Sequence, residues 1–399
     1  MALNQRGGLD PVEYRKFAGI RNTVSPERFD IGALEAAVNI DLDDTGRASR
    51  RKGYTSALAA AGAHSLHAEG DLCVFVQGTS LKRLASDYTA SALRTVTASR
   101  RVEYASVLGR LFYSNGAETG VIDGGASRTW GLVPPAHVGQ AAAVGGGQLP
   151  AGRYQWTVTF VRTDGQESGA LITAALDLPT VSGIAFSGLP VSSDPGVVAK
   201  IIYLTHANDE VMREALVLDA ADTTAAYMND GTEMAGELRT RYLQNPPAGQ
   251  CVSYFRGHTI VAVGSVLYPS VPYGYELFDL RRYFDFESPI TLIAPVESGV
   301  FVCTEAVNYF LPGLTPDDWK QKTATAEGAI PGTLVYVDGE DVGAGTPGRV
   351  ALWLSRAGVC MGLDDGSFKV ANRNRLLTSI VRASGASTVI GGRFVSTAE

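Results

Sequence analysis

Apolar residues along this chain come in short runs, each closed by Gly, Asn or Asp and followed by another run. DLCVFVQGTSLKRL (71–84), RLFYSNGAETGVID (110–123), HTIVAVGSVLYPS (258–270), SGVFVCTEAVNYFL (298–311) and RVALWLSRAGVCMGLDDGSFKV (349–370) all follow this form. A hydrophobic strand that turns at a small polar cluster and pairs with the next run is a β-hairpin. Asn115-Gly116 and Asp365-Gly366 are the strongest turn signals. Helical periodicity is nearly absent. The hairpin rhythm is compatible with propeller blades, whose four strands take ~40–45 residues, and the length left for them predicts about five or six blades.

A different pattern occupies 140–240. QAAAVGGGQLP (140–150) reads as a small-residue linker, and AGRYQWTVTFVRTDGQES (151–168) then alternates cleanly. Tyr154, Trp156, Val158 and Phe160 share one strand face, since side chains repeat every two residues. Further strands are predicted at ALITAAL, VSGIAFSGL, AKIIYLTHA, REALVLDA and TTAAYMND. That density of short strands predicts a β-sandwich of immunoglobulin or fibronectin type. The expected organisation is an N-terminal arm and first part of a propeller in 1–139, an inserted sandwich in 140–240, and the rest of the propeller in 241–399. The fold class expected is all-β.

Composition supports a folded, non-membrane chain. Of 399 residues, 45% are hydrophobic and 19% charged, and the 45 Gly and 18 Pro are spread along the length, as many turns require. No stretch approaches the ~20 apolar residues of a membrane helix. MALNQRGGLD lacks the apolar core of a secretory leader, so synthesis in a cytoplasm is expected. Cys73, Cys251, Cys303 and Cys360 are far apart and read as reduced thiols. A net charge of −7 argues against a duplex-DNA clamp, which needs clustered Lys and Arg. It is compatible with a wall that DNA slides past.

Two phrases near the N-terminus carry a resemblance. FAGIRNTVSPERF (17–29) precedes AAVNIDLDDTGRASRRKGYTS (36–56), in which Asn39, Asp41, Asp43, Gly46, Arg50, Arg51, Gly53 and Tyr54 form a recognisable series. RTWGLVPP (128–135), SPITLIAPVESGVFVCTEAVNYFLPGLTPDDW (288–319) and LWLSRAGVCMGLDDGSF (352–368) add to it. Together they resemble the nozzle or packaged-DNA stabilisation proteins of short-tailed bacteriophages. The resemblance implies a virion protein, a propeller assembling as a homo-oligomeric, hexameric ring in the tail below the portal and adaptor. Its implied partners are those portal-proximal proteins, tail fibres or spikes, and packaged DNA passing through without sequence-specific contact. Tail-tip or fibre-attachment propellers that recognise a host surface are the alternative.

Two residue groups stand out as contact surfaces. Arg47, Arg50, Arg51 and Lys52 form the densest basic group, beside Asp41, Asp43 and Asp44. Arg set against carboxylates predicts cross-bracing of two strands, within or between subunits. Tyr268, Tyr273, Tyr275, Phe278, Tyr283, Phe284 and Phe286 accompany Arg281 and Arg282 in text without clean strand periodicity. Tyr and Arg favour interfaces. Tyr268, Tyr273, Tyr275, Arg281 and Arg282 are therefore candidate contact residues, together with Arg47, Arg50 and Arg51.

Catalytic and cofactor chemistry lacks its motifs. Asp41-x-Asp43-x-Thr45-Gly46 starts like a calcium loop but has Lys52 where the bidentate Glu belongs. His64 and His67 are the one close histidine pair, without further ligands at zinc spacing, and read as polar turn residues. A propeller glycosidase would need two carboxylates ~5–9.5 Å apart. Asp279, Asp285, Glu287, Asp317 and Asp318 are candidates by position only, in turn-like text. The expectation is a non-enzymatic protein without metal or cofactor.

Overall fold

The computed structural model describes residues 16–28, 30, 32–43, 45–53, 55–325, 327–340, 342, 348–371, 384–390 and 393–398. Phe29, Asp44 and Tyr54 of the N-terminal phrases lie outside the described residues. The described chain is all-β: its helical elements are two 3₁₀ turns, Pro26–Arg28 and Pro316–Asp318.

Five antiparallel up-and-down sheets, the repeat of a β-propeller, follow one another along the chain. The first consists of Ala63–Glu69, Leu72–Gln77, Ser80–Leu84 and Ala90–Thr95, and the second of Glu103–Val107, Arg110–Ser114, Thr119–Asp123 and Ala126–Arg128. The third holds Cys251–Phe255, His258–Val263, Val266–Val271 and Gly274–Phe278, with short Phe284–Asp285 also pairing with Val266–Val271. The fourth runs through Ile290–Val296, Gly299–Thr304, Asn308–Pro312 and Lys322–Thr325. The fifth is Val335–Asp338, Arg349–Ser355, Gly358–Gly362 and Phe368–Val370.

The chain divides into two compact units. One comprises 60–295 with 311–321, and the other 1–59, 296–310 and 322–399. In the first, the strand Arg110–Ser114 explains why the text reads as unbroken apolar runs. Leu111 and Tyr113 point into one buried cluster with Val74, Val76 and Leu81 of the first sheet and with Val102, which leads into the second. Phe112, between them, points the opposite way into a cluster with Trp130, Val252, Val261 and Phe278. Period two still operates, but both faces are covered, so both sets must be apolar. Each such side chain contributes roughly 1.5–3 kcal/mol through burial.

The insert between the second and third sheets is a seven-stranded, two-sheet sandwich. One sheet orders Gln140–Leu149, Ser182–Ser187 and Thr224–Tyr227; the other orders Ala174–Leu178, Gly152–Arg162, Val197–Thr205 and Met212–Asp219. It is immunoglobulin-like in architecture, with a strand order of its own. Tyr154, Trp156, Val158 and Phe160 are all buried as the alternation demands, with Trp156 edge-on to Phe186. The stretch 140–149, expected as linker, is instead an edge strand. The pairing slips between Val144 and Leu149, so the three consecutive glycines sit in an irregularity that a linker-like composition tolerates.

In the second unit the phrase around Asp41 folds as a hairpin of Ile40–Leu42 on Ala48–Arg50. A C-terminal hairpin, Gly385–Ile390 on Arg393–Ala398, reaches it: the Arg393 guanidinium lies 3.7 Å from Asp41 and donates to the Leu42 carbonyl at 3.5 Å. Trp353 packs between Phe301 and Phe368. All four cysteines are free thiols; Cys251, Cys303 and Cys360 are buried.

Candidate interaction surface on the third sheet

The aromatic segment 268–286 is more regular than its composition suggests. Val266–Val271 and Gly274–Phe278 pair across a tight turn at Pro272-Tyr273, with the register shifting after Ser270. The cluster therefore divides. Phe278 and Phe286 are core residues, whereas Tyr273 and Tyr283 are exposed. Tyr268 packs against Tyr283 with ring centres 6.3 Å apart. Tyr275 lies edge-on to Tyr254 at 6.0 Å, and its carbonyl accepts the Trp130 indole N–H at 2.8 Å. Burial raises the Tyr275 phenol above its ordinary range, and the neighbouring Tyr254 raises it further.

Tyr273 differs from the others. It is 78% exposed and has a left-handed backbone, φ +58°. Its N–H donates to the Gly257 carbonyl at 2.8 Å, so two hairpin tips of one sheet are tied together. Gly257 is buried although it stands at the tip Arg256-Gly257, where both residues have positive φ as a type I′ turn requires. A Cβ on Gly257 would lie 3.0–3.3 Å from three atoms of the Tyr273 ring. Glycine thus lets the ring cover the backbone. The Gly257 N–H in turn donates to the Tyr254 hydroxyl at 3.1 Å.

The two arginines are committed to local partners. Arg281 makes a two-pronged pair with Asp279, whose carboxyl is held below its usual range chiefly by that bond, and its guanidinium lies 4.6 Å from the Tyr242 ring centre. Arg241 lies 5.0 Å from the same ring centre. Arg282 pairs with Asp317. Asp279 and Asp317, both possible glycosidase carboxylates, are therefore neutralised by arginines. Asp318 accepts from the Thr315 hydroxyl, and Asp285 is exposed.

The N-terminal basic group is braced within its own hairpin. Arg51 lies 3.2 Å from Asp41, and Asp43 accepts the backbone N–H of Thr45 and Arg47. Arg50 is opposite Ile40 and lines a shallow surface groove of about 400 Å³ with Val38, Asn39 and Ile40. His64 and His67 are strand residues flanking a bulge rather than turn residues. His67 stacks on Tyr104, and burial lowers its pKa against an opposing pull from Glu69. Among the described residues no cluster of three or more His, Cys, Asp or Glu could hold a metal ion.

A buried polar constellation centred on Glu276 leaves no trace in the sequence pattern. Glu276 is 2% exposed and accepts from Arg128 at 2.8 and 2.5 Å, from Arg162 at 2.7 Å and from the Gly131 N–H at 3.0 Å. Arg128 ends the second sheet, Arg162 ends a sandwich strand and Glu276 belongs to the third sheet. Asp164 completes the group, 3.3 Å from Arg128 and 3.2 Å from Arg162. Burial pushes the Glu276 carboxyl upward, but Arg128 and then Arg162 outweigh it and hold the group below its usual range. Thr129 also donates to Asp194, and Gln244 on the return path exchanges both backbone hydrogen bonds with Phe278.

No family model matches this sequence. No curated protein matches it either. Solved structures similar to it include BBS1N in complex with ARL6DN (TM-score 0.38, 11% identity, 87% of this chain and 93% of that one). Saccharomyces cerevisiae Sqt1 aligns at TM-score 0.22 and 10% identity over 73% of this chain and 92% of its own. A puromycin hydrolase aligns at TM-score 0.20 and 15% identity, covering 85% of this chain and 59% of the enzyme.

Proposed function

We propose that this protein is a non-enzymatic structural component of a bacteriophage tail, forming a homo-oligomeric ring that extends or closes the DNA channel and helps to retain and deliver the genome. The N-terminal phrase and its three companions point to that family. The structural observation that carries the reading is the mount of the sandwich. Two crossing segments and the Arg128–Glu276–Arg162 cluster fix it to its neighbouring sheets, which suits a part that must keep its shape under the pressure of packaged DNA. The net charge of −7 fits a wall that does not grip phosphate. Cryo-electron microscopy of tails with this chain located by labelling tests the proposal. A closed ring on the channel axis, with a lumen of acidic or neutral side chains, is the expected result. Peripheral copies, or a lumen lined with Lys and Arg, would refute it.

A second reading, host-surface recognition from the tail tip or a fibre attachment, is favoured by one feature. Tyr273 presents an aromatic ring to solvent from a backbone conformation that tyrosine seldom adopts.

A further inference from the structure

We infer that the paired hairpin tips 254–258 and 271–275 form a saccharide-binding platform, with the Tyr273 ring as the stacking surface. The inference stands apart from the placement of the chain in a virion, since a ring subunit and a peripheral one could both carry it.

The geometry is that of a displayed ring. One face of Tyr273 rests on Gly257, and the residue is nevertheless 78% exposed, so the remaining surface faces solvent. Its backbone N–H is bonded to the Gly257 carbonyl, which fixes the main chain that carries the ring. A residue with a Cβ is disfavoured at φ +58°, and glycine would satisfy the turn better. Backbone strain at an exposed aromatic residue is a pointer to function rather than to folding.

The surroundings decide the class of ligand. A pyranose ring offers axial C–H groups to an aromatic face and hydroxyls at its edge. Beside Tyr273 the two tips carry the phenols of Tyr254 (36% exposed), whose hydroxyl accepts from the Gly257 N–H, and Tyr275, and the exposed Arg256, whose guanidinium lies 5.8 Å from the Phe255 ring centre. No carboxylate occurs in 253–258 or 270–275, although the chain is acidic overall. The large apolar side chains exposed on these tips are Tyr254 and Tyr273. A protein partner would instead be met by a wider apolar centre with a polar rim. A single flat ring among polar groups fits a sugar.

Saturation-transfer NMR with the intact protein tests this. The probes are linear trisaccharides of glucose, galactose, N-acetylglucosamine and rhamnose, together with O-polysaccharides released from several Gram-negative bacteria. The wild type is expected to transfer saturation to at least one of them. Tyr273→Gly should weaken that binding about tenfold or more, while Tyr273→Phe keeps the ring and stays within about twofold. Because glycine relieves the left-handed backbone, Tyr273→Gly should melt no lower than the wild type, which separates lost binding from lost folding. Transfer to no member of the panel, or transfer unchanged in Tyr273→Gly, would overturn the proposal. Self-association of the wild type that Tyr273→Gly abolishes would make this face a protein contact and overturn it equally.

Discussion

Replacing Glu276 by Gln tests the mount of the sandwich directly. Gln keeps the volume and one acceptor oxygen but removes the negative charge that faces Arg128, Arg162 and, at 3.8 Å, Arg110. Three charge-assisted bonds of 2.5–2.8 Å end on this carboxylate. At roughly 1.5–3 kcal/mol each they would sum to more than any single substitution usually costs. Two things reduce the figure. Asp164 stays within 3.3 Å of both arginines, and the bonds are coupled rather than additive. The Arg162 side chain is 4% exposed, so water cannot take over its solvation. Breaking a buried pair of this kind costs about 3–5 kcal/mol, and the lower end is expected here. The assay is urea denaturation followed by tryptophan fluorescence, for which Trp130 in the adjoining segment is a natural reporter. With a slope of about 1–3 kcal/mol per M, the midpoint should fall by about 1 M or more.

Two comparisons sharpen this test. Arg153→Ala breaks a pair whose side chains are 63% and 74% exposed, and should stay within about 1 kcal/mol of the wild type. Replacing all three members together, as Arg128→Met, Arg162→Met and Glu276→Leu, should recover part of the loss, because the buried Glu276 and Arg162 charges leave together and only the part-exposed Asp164 and Arg110 remain. The pH dependence has a definite sign. The folded pKa of Glu276 is depressed, so its contribution is complete above the unfolded value of about 4.3 and is lost as pH falls through the folded value. The gap between wild type and Glu276→Gln should therefore be full at neutral pH and close in acid. A Glu276→Gln midpoint equal to that of Arg153→Ala would refute the reasoning.

Other substitutions probe the remaining elements. Glu167 is raised by burial, which outweighs the Thr159 and Tyr203 hydroxyls that donate to it; its stabilising contribution is present below the unfolded pKa and lost as pH rises through the folded one. Glu167→Gln should thus raise the melting temperature at pH 7–8 and change it little near pH 4, as differential scanning fluorimetry can check. Gly131→Ala places a Cβ 2.6 Å from the Glu276 carbonyl at φ +75° and should cost about 2 kcal/mol or more in the same urea assay. Arg393→Ala removes an exposed tie between the first and last hairpins and should cost at most about 1 kcal/mol, while hydrogen exchange in 40–50 quickens.

Much of the architecture is legible in the sequence because it is written locally. Hairpins advertise themselves through turn residues, and the alternation of Tyr154, Trp156, Val158 and Phe160 is enough by itself to mark a strand with one buried face. Two local readings fail for local reasons. Three consecutive glycines look like a linker, yet they lie in a slip of strand register, where the absence of side chains is tolerated. Aromatic residues without visible period look like a loop, yet a register shift at Ser270 breaks the period of a real strand pair. Arg51 against Asp41 can be anticipated because both belong to one hairpin.

What the sequence alone determined, then, is the all-β character and the repeated hairpins, since both depend on neighbours a few residues apart. Tertiary structure alone decided which arginines meet Glu276 and how far Tyr273 faces solvent. Arg162 and Glu276 are separated by 114 residues, and no local propensity records that their side chains will share a buried site. Exposure of Tyr273 likewise depends on a glycine in a neighbouring hairpin whose missing Cβ makes room for the ring. Short-range pattern reflects backbone conformation and which face is apolar, whereas burial of charge and display of a ring are set by how distant strands pack.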